Sequence, residues 1–396
     1  MKRTTVTSGI AVSAVSLLLL SACGGGGSAS ADSDEPIVIG MIADQSGATG
    51  DVGAPYNEGM LAYVDYINAN GGIEGREIQA ESNDYAYEIP KAEELYRRYV
   101  NDEAVAIQGW GTGDTEALRT RVANDELPFM SGSFAEDLTD PEESPYNFLV
   151  APTYSDQMRV ALNWISEDAG GQAGVAVLHH DSPFGTSPVE DGQAWVDEQG
   201  LDIDYKSYAM PAGTTNYAGL LSQISDAKYI VIQNVSSPAA QLAKDLQAQG
   251  GDQKIVCLNW CANELFITSA GDAADGHVMI QPIAPLNAGK PGHEQITSYL
   301  EEKGEDPESK ITSYVQGWYT MHVMAEGIRH TISEGNDLTG ANIRESLETM
   351  GGIDTGEVIG DGTVEFSADS HRGSTSSNLY EVKDGKMEEI ESGVTP

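Results

Sequence analysis

The 396-residue sequence carries 21 Lys and Arg against 62 Asp and Glu, a net charge of −41, with 40% hydrophobic and 7% aromatic residues. That mix builds packed cores rather than a disordered chain, sized for about two domains, and its acidity argues against nucleic acid or an anionic lipid surface as partner. No stretch reaches the roughly 20 apolar residues that span a bilayer, which excludes a channel or an integral transporter.

Lys2 and Arg3 precede an apolar run over residues 9–22. The run is too short for a span and right for a secretory leader. It ends in Leu20-Ser21-Ala22-Cys23, which resembles a bacterial lipobox. That resemblance implies loss of residues 1–22 as a signal peptide, lipidation of Cys23, and a tether over residues 23–35 whose Gly/Ser content makes it flexible. The expectation is an extracytoplasmic protein held to the cell membrane through its lipid alone. The remaining cysteines, Cys257 and Cys261, are spaced C-x3-C. A disulfide is permitted outside the cytoplasm, though so short a loop gives it little entropic benefit, so bridged and free forms both stay open. With no second Cys or His pair beside them, no metal site is expected.

Residues 37–42 (IVIGMI) form a short β-branched run of the kind buried in parallel sheets. A Gly-rich turn (SGATGDVG) follows, then a helix over 58–68, a strand over 77–82, and a helix over 90–100 opened by Pro90. A strand at 104–108, a helix at 115–124 and a strand at 127–131 complete the first series. The alternation restarts after Pro152, with helices at 155–168, 188–199, 217–225 and 238–249. Strands at 174–179, 202–208, 229–233, 254–258 and 277–281 lie between and after them. Such alternation predicts βαβ units, and two series predict an α/β protein of two doubly wound parallel-sheet lobes. The last third reads as helices at 311–330 and 340–350, then strand pieces at 363–366 and 378–383 with an Asp384-Gly385 hairpin turn.

Signatures of turnover are missing. There is no phosphate-binding G-x-x-x-x-G-K-[ST] loop and no H-E-x-x-H helix. There is no G-x-S-x-G elbow either. The glycines at 47, 50 and 53 do not make a dinucleotide loop. His179-His180-Asp181 suggests catalysis at a glance, but adjacent strand residues point to opposite faces. Residues 136–143 are acidic without the pattern of a calcium loop. The chain therefore reads as a binder without cofactor rather than as an enzyme, with a secreted hydrolase the weakest alternative.

Several segments together resemble the solute-binding proteins of branched-chain-amino-acid-type ABC importers, of the type I periplasmic-binding-protein fold. They are NANGGIEGR at 68–76, VAIQGWGTGDT at 105–115, LPFMSGSFAEDLT at 127–139, TYSDQ at 153–157, DSPFG at 181–185 and AGDAADG at 270–276. The resemblance implies an N-terminal lobe of residues 36–151 plus 282–334, a C-terminal lobe of 152–281 plus 335–396, three hinge crossings and a ligand held in the cleft. The strand ends that open α/β sheets use for ligands support that location.

Residue by residue, the resemblance places Thr112 where the family uses a hydroxyl to hold the ligand carboxylate, with Gly113 beside it. Gly132 would offer a backbone carbonyl, and Phe134, next to Ser133, stands where the family has a Thr. Phe184 and Ser236 match two tyrosines. Asn259 falls at the family's Glu, the partner of the ligand ammonium. An ammonium buried without that carboxylate carries a desolvation cost of several kcal/mol. With Trp110, Trp260, Tyr85 and Tyr87 near the cleft mouth, the site is rich in rings and poor in charge. A small organic acid, an aromatic one included, or an amide fits better than a free α-amino acid. The expected partners are that small molecule and ABC permease subunits, with the protein itself a monomer. A sensor presenting its closed form to a membrane receptor is the alternative function.

Overall fold

The computed structural model describes residues 35–396; the leader, Cys23 and most of the tether lie outside them. The first series comprises β1 (Ile37–Ala43), α1 (Gly50–Ala69), β2 (Ile78–Asp84), α2 (Ile89–Asn101), β3 (Ala106–Gly109), α3 (Thr112–Asn124), β4 (Phe129–Ser131) and β5 (Asn147–Phe148). Its strands form a parallel sheet in the order β2-β1-β3-β4-β5. Apolar β1 is buried along almost its whole length, as a central parallel strand must be.

The second series runs α4 (Tyr154–Ala169), β6 (Ala173–His180), α5 (Pro183–Thr186), α6 (Val189–Gln199), β7 (Ile203–Met210), α7 (Ala218–Gln223) and β8 (Tyr229–Gln233). It continues through α8 (Ser236–Ala248), β9 (Lys254–Cys257), α9 (Glu264–Ala270) and β10 (Val278–Gln281). The chain then adds α10 (His293–Lys303), α11 (Thr312–Ser333), α12 (Gly340–Thr349), β11 (Ile353–Asp354), β12 (Thr363–Val364), β13 (Ser377–Lys383) and β14 (Lys386–Val394). The second sheet has the order β14-β13-β10-β9-β8-β6-β7. Strand β13 is antiparallel to both its neighbours, and the hairpin closes through Asp384 and Gly385, both at positive φ. The result is the expected pair of parallel-sheet lobes.

The chain crosses between lobes three times: from β5 into α4, from β10 towards Ile283, and from Phe366 towards β13. Backbone bonds tie the crossings together, with Leu149 N donating to His371 O, Gly373 N to Leu149 O and Gly360 N to Pro282 O. Glu136 and Asp156 pair with Arg159 and Arg372 across this region at 3.0–3.2 Å.

Two features depart from the sequence expectations. Helix α1 begins at Gly50 rather than at 58. The Asp44 carboxylate accepts from Gly47 N, Thr49 N and the Thr49 hydroxyl, which tightens the turn and launches the helix early. Residues 335–366 do not join the second lobe. Ile343, Leu347, Ile353, Val358, Ile359, Val364 and Phe366 enter the first core, and the β13–β14 hairpin alone of this tail extends the second sheet. The apolar face of α12 is covered by α11, which crosses α1. Of the two states the sequence left open for Cys257 and Cys261, the structure has buried free thiols. Cys261 donates its S–H to Ile232 O at 3.4 Å, and apolar burial pushes the Cys257 thiol up, away from the reactive thiolate.

Candidate functional site

Strand orders of this kind reverse direction between β1 and β3 in the first sheet and between β6 and β8 in the second. Crevices form at the carboxyl ends of strands at such switch points. The loops leaving those ends face each other here. They bring Thr49, Trp110, Gly111 and Thr112 from the first lobe against Phe184, Val235 and Trp260 from the second. Tyr87, Gly132 and Tyr154 complete the wall.

Each wall residue is fixed by its own partner. The Trp110 indole N–H donates to Thr49 Oγ1 at 2.7 Å, and Thr49 Oγ1 donates to Asp44 at 2.7 Å. Thr112 is the first residue of α3, with its hydroxyl 2.8 Å from the Ser133 hydroxyl. Tyr87 follows Ala86 after β2, both at positive φ. That backbone is uncommon for residues with a side chain, and it aims the Tyr87 ring at His180, 5.9 Å away. Tyr154 opens α4 behind a capping box of Thr153 and Asp156. Its hydroxyl donates to Gly132 O at 3.0 Å.

The rings interlock across the lobes. Trp110 and Trp260 meet edge to face at 4.6 Å. Tyr56 packs on both, and Phe134 stacks behind Trp260. The Trp260 N–H donates to Gly132 O at 3.2 Å and to Tyr154 Oη at 3.0 Å. What remains among these rings is a cavity of about 10 Å³, roughly the room of one water. The ring wall itself therefore leaves no room for a solute. A guest of amino-acid size enters only if the lobes part and the rings give way.

The expected site residues divide into three groups. Trp110, Thr112, Gly132, Phe184 and Trp260 line the cavity. Tyr85, Gly113, Ser133, Phe134 and Ser236 stand behind it. Tyr85 donates to Asp114 at 2.7 Å. A side chain at Gly113 would press on Ile89 and Pro183. The Ser236 hydroxyl is committed to Asn263 at 2.8 Å and to Trp260 O at 3.2 Å, so it serves the loop rather than the cavity. Asn259 is the third case. Its backbone is held by Gln157 and Gln281, yet both polar atoms of its buried side chain lack a partner. Buried amides without partners are rare and costly.

Sequence reasoning passed over Thr49, Tyr154 and Val235. For Tyr154 a signal existed, because T-Y-S-D is a helix-start pattern placed right after the first crossing. No charged side chain lines the cavity among the described residues. Asp114 lies behind the wall, one oxygen on Tyr85 and the other unpartnered, and burial pushes its pKa up to about 7. His179 and His180 are the last two residues of strand β6 rather than part of a loop, with the His180 ring 2.7 Å from the Ser182 hydroxyl through Nδ1. Among the described residues no cluster of acidic, His or Cys side chains could hold a metal, and no helix is long and apolar enough to cross a membrane.

Residues 36–386 match the family model of periplasmic binding proteins. A Leu/Ile/Val-binding protein homolog from Brucella suis is 24% identical over 96% of this chain and 94% of its own length. A branched-chain amino acid ABC transporter protein from Thermus thermophilus with bound valine superposes with a TM-score of 0.86 at 23% identity, over 91% of this chain and 97% of that one. A fatty acid ABC transporter substrate-binding protein from Thermomonospora curvata superposes with a TM-score of 0.78 at 18% identity, over 91% and 92%.

Proposed function

We propose, from the premise that this chain belongs to the periplasmic binding protein family, that it captures a small carboxylate with an uncharged remainder between its lobes and delivers it to an ABC permease. The observation that carries this reading is the wall itself: rings from both lobes, a helix N-terminus at Thr112, and no charged side chain among the described lining residues. The first N–H groups of α3 and the Thr112 hydroxyl suit a carboxylate. The unpaired amide of Asn259 suits a carbonyl, hydroxyl or amide at the other end. An ammonium would find a neutral amide where the resembling family has a carboxylate.

Isosteric pairs test this. Titration calorimetry with valine and leucine against their 2-oxo acids replaces the ammonium by a carbonyl oxygen while keeping the carboxylate and side chain. The 2-oxo acids should bind at least about tenfold more tightly, a difference of roughly 1.4 kcal/mol. Tighter binding of the amino acids would overturn the proposed ligand class. In Asn259→Glu the preference should swing towards the amino acids.

For location and delivery, the reading rests on the lipobox ending at Cys23. Fatty-acid labelling that persists in Cys23→Ser would refute the anchor. Deletion of the gene should abolish uptake of the bound solute. Intact uptake with altered gene induction would favour a sensor instead.

A further inference from the structure

Two carboxylates bridge the lobes away from the cavity, and they do so reciprocally. Asp51, in the first turn of α1 on the first lobe, accepts the backbone N–H of Ser237 at 2.8 Å. Ser237 lies in the first turn of α8 on the second lobe. Glu264, the first residue of α9 on the second lobe, accepts the backbone N–H of Thr312 at 2.7 Å and its hydroxyl at 3.1 Å. Thr312 begins the 22-residue α11 of the first lobe.

Every helix starts with N–H groups that lack partners within it, and a nearby side chain normally supplies one. Neither α8 nor α11 has such a cap from its own N-terminal residue, Val235 or Ile311. Each is capped by the opposite lobe. A carboxylate is the preferred group there, because it also meets the positive end of the helix dipole. Burial pushes the pKa of both acids up, so each contact is held against a desolvation penalty. One oxygen of Asp51 is buried with no partner.

We infer that Asp51 and Glu264 form a two-point latch that holds the lobes closed by capping α8 and α11 across the cleft, and so sets ligand affinity without touching ligand. This rests on the lobes separating to admit a solute; the chemical class of that solute does not enter. Each latch residue also sits close in sequence to the wall. Asp51 follows Thr49 by two residues, Ser237 follows Val235 by two, and Asn263, just before Glu264, accepts from Ser236 and donates to Trp260 O at 3.1 Å. Parting the lobes breaks both caps together.

The test uses hydrogen–deuterium exchange of the ligand-free protein, read at the Ser237 and Thr312 amides. Glu264→Ala removes the Thr312 cap locally. If the latch is one device, it should also speed exchange at the distant Ser237 amide about tenfold, and Asp51→Ala should do the same at Thr312. Small-angle scattering should report a larger radius of gyration for both variants. Exchange that rises at the local amide alone, with unchanged scattering, would overturn the latch and leave two independent helix caps. Asp51→Asn and Glu264→Gln keep an acceptor oxygen while removing the charge. They carry the same test should the alanine variants fail to fold, with a smaller effect of the same coupled pattern. A failed ligand panel would leave this result untouched, so the two readings fail separately.

Discussion

Asp114→Asn should flatten part of the protein's pH–stability profile. The native carboxyl is pushed up to about 7 from the ordinary 3.8, burial being the larger cause. The Tyr85 hydroxyl at 2.7 Å and the backbone N–H groups at the start of α3 pull the other way and do not win. Between those two values the folded protein keeps a proton that the unfolded chain has released. Stability therefore falls as pH rises, by about 1.4 kcal/mol per unit. Over the interval of about three units the loss approaches ~4 kcal/mol. The contribution is fully present below the unfolded value and gone once pH passes the folded one. Asparagine keeps the shape and an oxygen for the Tyr85 hydroxyl, and it cannot ionise. The variant should match the wild type near pH 4 and exceed it by a few kcal/mol near pH 8. Urea unfolding across that range measures the difference, and groups common to both proteins cancel. Parallel profiles, or a variant less stable at pH 8, would refute the argument that burial governs this carboxyl.

Other outcomes follow from packing and chemistry. Gly317→Ala puts a Cβ 1.9 Å from the Tyr56 carbonyl oxygen, so α1 and α11 must separate; a loss of about 1–3 kcal/mol is expected in urea unfolding, and an unchanged midpoint would deny that contact. Cys257 and Cys261 should resist alkylation in the native protein and both react after unfolding without reductant, whereas a mass consistent with a bridge would contradict the free thiols. The edge-to-face indoles of Trp110 and Trp260, 4.6 Å apart, should couple in far-ultraviolet circular dichroism, and Trp260→Phe should remove that signal; its persistence would assign it elsewhere.

The two parallel-sheet lobes were legible because β1, β6 and β8 are apolar runs between helices, a pattern that admits few other folds. The hairpin was legible because Asp384-Gly385 has the chemistry its turn demands. Local pattern says less about where a segment docks. Helix α12 could be read as a helix, but its assignment to the first core depends on α11, a separate helix earlier in the chain, offering a surface for it. The start of α1 was hidden because glycines at 47, 50 and 53 suggest a turn, while the Asp44 carboxylate that organises the first of them becomes visible only once folded. At the site, hydroxyls and rings could be nominated by alignment. Which ones face the cavity depends on pairings such as Ser236 with Asn263, and no spacing encodes those.

The Gly132 carbonyl belongs to the first lobe, and the Trp260 indole that shares it with the Tyr154 hydroxyl belongs to the second. A newcomer seeking that oxygen competes with a donor that leaves only when the halves swing apart. Vacating the seat and unlocking the door are then a single motion.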